Sequence, residues 1–165
     1  MTISFDRPHR VPATVSERRT TRSAASTWLL ATTLLGASLS AWPATCSVST
    51  TGVNFGSYDV FSNVNSDGAG SVSVSCDAAA YYSIAISSGN GSYVSRWMAS
   101  GAHQLAYNLY REASRSTIWG DGTGGNSVVS GSGTGATHTV YGRIPSRQNV
   151  YAGSYSDNIV VIVTY

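Results

Sequence analysis

Gly120, Gly122 and Gly125, in the stretch WGDGTGG, have the G-x-G-x-x-G spacing of a loop that cradles a dinucleotide pyrophosphate. That chemistry needs a helix opening directly after the loop, because the helix N-terminus binds the phosphates. Here NSVVSGSGTG follows Gly125, a strand fragment and another glycine turn, so the stretch is read as a glycine-rich β-turn after Trp119. The chain has no lysine for a P-loop, and Asp121 is the one carboxylate in the loop, too little charge for calcium. A G-x-S-x-G nucleophile elbow is missing as well. His103 sits beside Gly101 and Ala102 in a turn and His138 begins a strand; both read as surface or hydrogen-bonded histidines rather than general bases. Cys46 and Cys76, with His103 and His138, are too few and too dispersed for a zinc site. The expectation is therefore no catalytic residue, no cofactor, no metal and no enzyme. Asn90-Gly91-Ser92 fits a glycosylation acceptor but reads more simply as a turn. Tyr81, Tyr82, Tyr93, Trp97, Tyr107, Tyr110, Trp119 and Tyr141 would suit a sugar-stacking platform, though such residues more often pack a small core or its rim.

The segments that carry these residues fall into two regions. In Met1–Ser26, Arg7, Arg10, Arg18, Arg19 and Arg22 outnumber Asp6 and Glu17, and Trp28–Leu39 then reads WLLATTLLGASL, apolar and uncharged. Basic stretch, short apolar stretch and small residues in that order predict a secretory leader over 1–41, cleaved after Ala41. The apolar stretch is too short to cross a bilayer comfortably, so stable membrane insertion is not expected. From Cys46 onward the five arginines meet six carboxylates, so the net +2 of the chain belongs to the leader and no nucleic-acid partner is implied. Export places Cys46 and Cys76 in an oxidising compartment, where a single disulfide is the one internal pairing available to two cysteines.

Beyond Cys46 the apolar period is two. Val72, Val74 and Cys76 share a face, as do Tyr82, Ile84 and Ile86, then Leu105, Tyr107 and Leu109, then His138, Val140, Gly142 and Ile144. Turn residues separate the runs at Asn65–Gly68, Ser88–Gly91, Ser100–Gly101, Gly131–Gly133 and Pro145. This predicts one all-β sandwich domain over 42–165. The last run, DNIVVIVTY, is apolar on both faces: Ile159, Val161, Val163 and Tyr165 on one, Val160 and Ile162 on the other. It is either a strand buried on both sides or a strand awaiting a partner.

CSVSTTGVNFGSYDV at Cys46, GSVSVSC ending at Cys76, LAYNLYREASRSTIWGDGTGG from Leu105 and the terminal VYGRIPSRQNVYAGSYSDNIVVIVTY together resemble the spore coat protein U domain family, over Cys46–Tyr165. The resemblance implies an immunoglobulin-like sandwich lacking its last strand, with the family disulfide at Cys46 and Cys76. It implies an exported subunit of an archaic chaperone–usher pilus, with a periplasmic chaperone, an usher and neighbouring subunits as partners. A groove bordered by Ile159, Val160, Val161, Ile162, Val163 and Tyr165 would take a strand first from the chaperone and then from the next subunit. The Tyr165 carboxylate would anchor in the chaperone's basic cleft. The edge of this last strand should then lack a neighbour from its own molecule, and strands of its own molecule on both sides would mark a self-contained body. Cleavage after Ala41 leaves Trp42–Thr45 ahead of Cys46, roughly 13 Å of strand, too short to serve as a donor. That departure points to a subunit that accepts a strand without giving one, as at a fibre tip. The alternatives are a self-sufficient secreted coat or matrix protein and a lectin-like module.

Overall fold

The computed structural model describes residues 1–11 and 44–165, and every regular element in them is a β-strand. The apolar stretch Trp28–Leu39 and the expected cleavage site after Ala41 lie outside the described residues. The strands are β1 (Thr2–Val11), β2 (Cys46–Asn54), β3 (Ser66–Ile86), β4 (Gly91–Ser92), β5 (Ser95–Ser100), β6 (His103–Tyr110), β7 (Val129–Ile144) and β8 (Ser156–Thr164). Their order in the sheet is β2-β1-β8-β3-β7-β6-β5-β4, with β2 also pairing β3 and β8 also touching β5. The sheet thus folds on itself around one core, as an immunoglobulin-like sandwich must.

The period-two faces read from the sequence are the buried ones. Val72, Val74 and Cys76, Tyr82, Ile84 and Ile86, Leu105, Tyr107 and Leu109, and Val140 and Ile144 all lie in the core. β3 joins two of the expected strands into one of 21 residues. Its first half pairs with β2, its last residues with β8, and both halves with β7. The register shifts between Ser75 and Ala80, where β3 carries extra residues opposite β7 and so turns from one side of the sandwich to the other.

Two expected turns are strand instead. Ser66, Asp67 and Gly68 pair with Ile144, Arg143 and Gly142, and Gly131 and Gly133 pair with Tyr82 and Ala80. Gly133, at φ 113° with nothing near a Cβ, serves the backbone conformation, whereas Gly131 and Gly142 serve space. A Cβ on Gly131 would lie 2.4 Å from the Tyr82 ring, and one on Gly142 2.5 Å from Phe55. The other glycine run behaves as read: Gly122 and Gly125 have φ of 89° and 85°, in a turn held by Asp121 and Asn126 side chains. No helix follows it.

Cys46 and Cys76 are bonded, across directly paired residues of β2 and β3. At a sequence separation of 30, the chain-entropy contribution is about 3–4 kcal/mol.

The first strand was not expected. Thr2–Val11 reads as the basic start of a leader, yet its first residues alternate: Ile3 is fully buried and Phe5 partly so, while Thr2, Ser4 and Asp6 face outward. Five residues of alternation is the shortest signal a half-buried strand can give, and the arginines after it outweigh it in any compositional reading.

Candidate functional site

β8 runs through the centre of the sandwich. Ile159, Val161 and Val163 are 0%, 0% and 1% exposed and point into the core. Val160 and Ile162, on the opposite face, are half-buried. Tyr165 is half-buried too, and its hydroxyl donates to the Cys46 carbonyl at 3.4 Å, which seats the end of the chain against the start of β2. Ile159 to Val163 of the expected groove residues therefore lie along one continuous strand, with alternate side chains on its two faces, and Tyr165 follows just past its end. On one side β8 pairs with β3, Ile84 opposite Val163 and Ile86 opposite Val161, and the Val160 N–H reaches the Ser87 hydroxyl at 3.0 Å.

The other side of β8 is the strip that residues 44–165 leave without a strand. In this structure β1 lies there, parallel to β8, with Thr2 through Asp6 opposite Ser156 through Val160. Its far edge meets β2, Thr2 opposite Asn54 and Ile3 opposite Val53. Against the expectation, the last strand thus has a neighbour from its own molecule on each side, and the sandwich is closed in this structure; one of the two neighbours comes from the region assigned to the leader. The fit is close. The Thr2 N–H donates to the Tyr155 carbonyl at 3.3 Å, and the Phe55 N–H to the Met1 carbonyl at 3.0 Å. Gly52 makes room for the passing backbone: a Cβ there would stand 2.2 Å from the Ile3 carbonyl oxygen. Full burial of the Ile3 side chain contributes about 2–3 kcal/mol. Ordering one backbone residue costs about 1–2 kcal/mol. An occupant of this strip therefore needs several apolar side chains at alternate positions as well as its ladder of hydrogen bonds.

At the start of β8 the strip passes over a buried polar cluster that the sequence reading missed. Asp157 is 5% exposed. It accepts from the Tyr107 hydroxyl at 2.6 Å and from the Asn90 N–H at 3.2 Å. Burial pushes its carboxyl pKa up against the opposing pull of these hydrogen bonds, and burial likewise pushes the Tyr107 hydroxyl up. Arg96, fully buried, donates to Asn108 Oδ1 at 2.6 Å and to the Ser87 and Trp119 carbonyls at 2.9 Å each. Its Nε has no partner, and burial draws the guanidinium pKa down. The signals were present: Asp157 opens an otherwise apolar strand, and Arg96 and Asn108 fall on core-facing or core-flanking positions of β5 and β6. What could not be read was that one cluster would collect them.

The histidines and aromatics sort as packing residues. His138 Nε2 lies 3.0 Å from the Tyr82 hydroxyl, and partial burial lowers its pKa. His103 stacks on Tyr151 with ring centroids 4.3 Å apart. Trp119 is fully buried, its Nε1 donating to the Ile84 carbonyl at 3.0 Å, and Tyr82 and Tyr107 are core residues. Tyr81 is 86% exposed, so the eight aromatics make no common platform. A cavity of about 650 Å³ between residues 56–61 and 150–154 has Asp59 as the one carboxylate among its described lining residues. Among the described residues no group of three or more His, Cys, Asp or Glu is placed to hold a metal.

Comparison with known proteins agrees with this architecture. Residues 31–162 match the Spore Coat Protein U domain. The chain is 33% identical over 129 residues to Protein U of Myxococcus xanthus, covering 68% of this chain and 71% of that one. Among solved structures, it is similar to a chain of the chaperone–tip adhesion subunit pre-assembly complex from the archaic chaperone–usher Csu pili of Acinetobacter baumannii. The TM-score is 0.56 at 19% identity, over 74% of this chain and 40% of that chain, a likeness of fold. With its all-β sandwich and its Cys46–Cys76 bond, this chain belongs to the spore coat protein U domain family.

Proposed function

We propose that the mature domain, 42–165, is an exported structural subunit of a surface fibre, assembled by strand donation into the strip between β2 and β8. The observation that carries this reading is the seating of β1. The edge of β8 takes up an added parallel strand, buries its alternate side chains, and has no strand of 44–165 to offer in its place. A periplasmic chaperone would fill the strip in transit, an usher would exchange it for the donor of a neighbouring subunit, and the pilus would carry the product to the cell surface. The fold likeness to a subunit–chaperone complex supports the class of assembly. The short Trp42–Thr45 lead before Cys46 favours a terminal position in the fibre, since it is too short to donate. Mass-spectrometric mapping of the mature N-terminus tests that position: a start near Thr27 would supply a donor-length extension and remove the argument.

The groove itself is tested by expressing 42–165 in the periplasm with and without a candidate chaperone. Aggregation alone and a soluble one-to-one complex with the chaperone is the expected pair of results. A stable chaperone-free monomer would instead support a second reading, a self-sufficient coat protein, which the match to the Spore Coat Protein U domain favours.

A further inference from the structure

β1 lies outside the matched family domain, 31–162, yet it fits the domain as a component of it. Both edges of the strip are engaged at once. β8 meets β1 from Thr2 to Asp6 without a break in register, while β2 meets it at Thr2 and Ile3. Ile3 is fully buried and Phe5 packs against the core, with Ser4 outward opposite Asn158. Strands in one sheet stand about 4.8 Å apart. A second strand therefore has no place between β2 and β8 while Met1–Asp6 is there.

We propose that a copy of the chain that retains its first eleven residues is closed: its own N-terminal segment holds the strip and excludes the strand of a second polypeptide. This rests on the strand-donation reading above and adds regulation to the same site. A copy that folds before export is capped against association by the segment that marks it for export. Removal of the leader takes the cap away and exposes the β8 edge, the β2 edge and the Ile3 and Phe5 sites in one event. Strand capture is thereby coupled to processing.

The test uses the full-length chain, made without export under oxidising conditions, with Ser4→Cys and Asn158→Cys introduced at partnered, outward-facing positions. The expected result is a second disulfide within single chains, located by mass spectrometry of unreduced peptides, in a protein that elutes as a monomer. Ile3→Asp with Phe5→Asp should cut the cross-link yield at least about tenfold, as loss of one buried aliphatic contact would, and move the protein into larger assemblies. A synthetic peptide with the sequence Met1–Val11 should return it to monomer. Gly52→Ala, which leaves the segment intact and obstructs its path from β2, should act in the same direction. Cross-links only between chains, no cross-link, or monomers that persist when the cross-link is lost would each overturn the proposal. None of these results bears on whether 42–165 needs a chaperone. That experiment can fail while the cross-link forms, so the two readings are separately refutable.

Discussion

Arg96 shows how much one side chain can organise. Its guanidinium reaches Asn108 on β6, the Ser87 carbonyl just after β3 and the Trp119 carbonyl beyond β6, from a position with no exposure. Arg96→Ala should leave Asn108 and two carbonyls short of a donor and open a cavity, costing about 2–4 kcal/mol by denaturant titration. A loss below about 0.5 kcal/mol would mean that water replaces the arginine without penalty. Asp157 makes a prediction with a sign. Because its folded-state pKa is raised, the native state holds this proton more tightly than the unfolded chain does. Its contribution to stability is therefore lost as pH rises from the ordinary carboxylate value through the raised one. Asp67, Glu112 and Asp121 are lowered and act oppositely, losing stability as pH falls. They are common to both proteins, so Asp157→Asn isolates the one group. The stability of this variant relative to the native chain should improve as pH rises above the ordinary carboxylate range of about 4. A flat or falling difference in urea titrations would show that Asp157 is not desolvated.

At the scale of elements, β3 and β7 were the strands most clearly present in the sequence and the least clearly bounded. The runs Gly70–Cys76 and Tyr81–Ser87 each show period two, but nothing in them says that they form one strand through Asp77–Ala79. That continuity comes from β7 pairing with both. Glycine was the misleading residue. Gly131 looks like a turn because the alternative reason for glycine, a ring lying across the backbone, requires knowing that Tyr82 stands opposite. Gly131→Ala should therefore cost about 1–3 kcal/mol through the Tyr82 clash, as overpacking does. The same change at Gly124, where a Cβ meets nothing within 4 Å but φ is 55°, should cost only the smaller penalty of a left-handed backbone. Equal thermal shifts for the two would refute the distinction. β8 was legible on both faces, because Ile159, Val161 and Val163 turn inward while Val160 and Ile162 between them stay half-buried. β1 was hidden by its own context, a few alternating residues in a region whose arginines and downstream apolar stretch read as a leader.

For the whole molecule, the proposals above make incompleteness and closure two states of one sandwich, separated by whether Met1–Asp6 is attached; the closed one is the structure described. Residues 44–165 supply the core apart from Ile3, the covalent tie and every described strand but β1. The tie has a mechanical consequence. Cys46 begins β2, and its bond to Cys76 delivers any pull on the front of the domain to the middle of β3, the strand with the longest pairing in the fold. Tension then loads β3 and β7 in shear instead of peeling β2 from its end. The 30-residue loop stays out of the extensible length, and reduction should release roughly 100 Å of extra contour in a single-molecule stretch. A domain stitched at this point holds its length under tension until its cysteines are reduced.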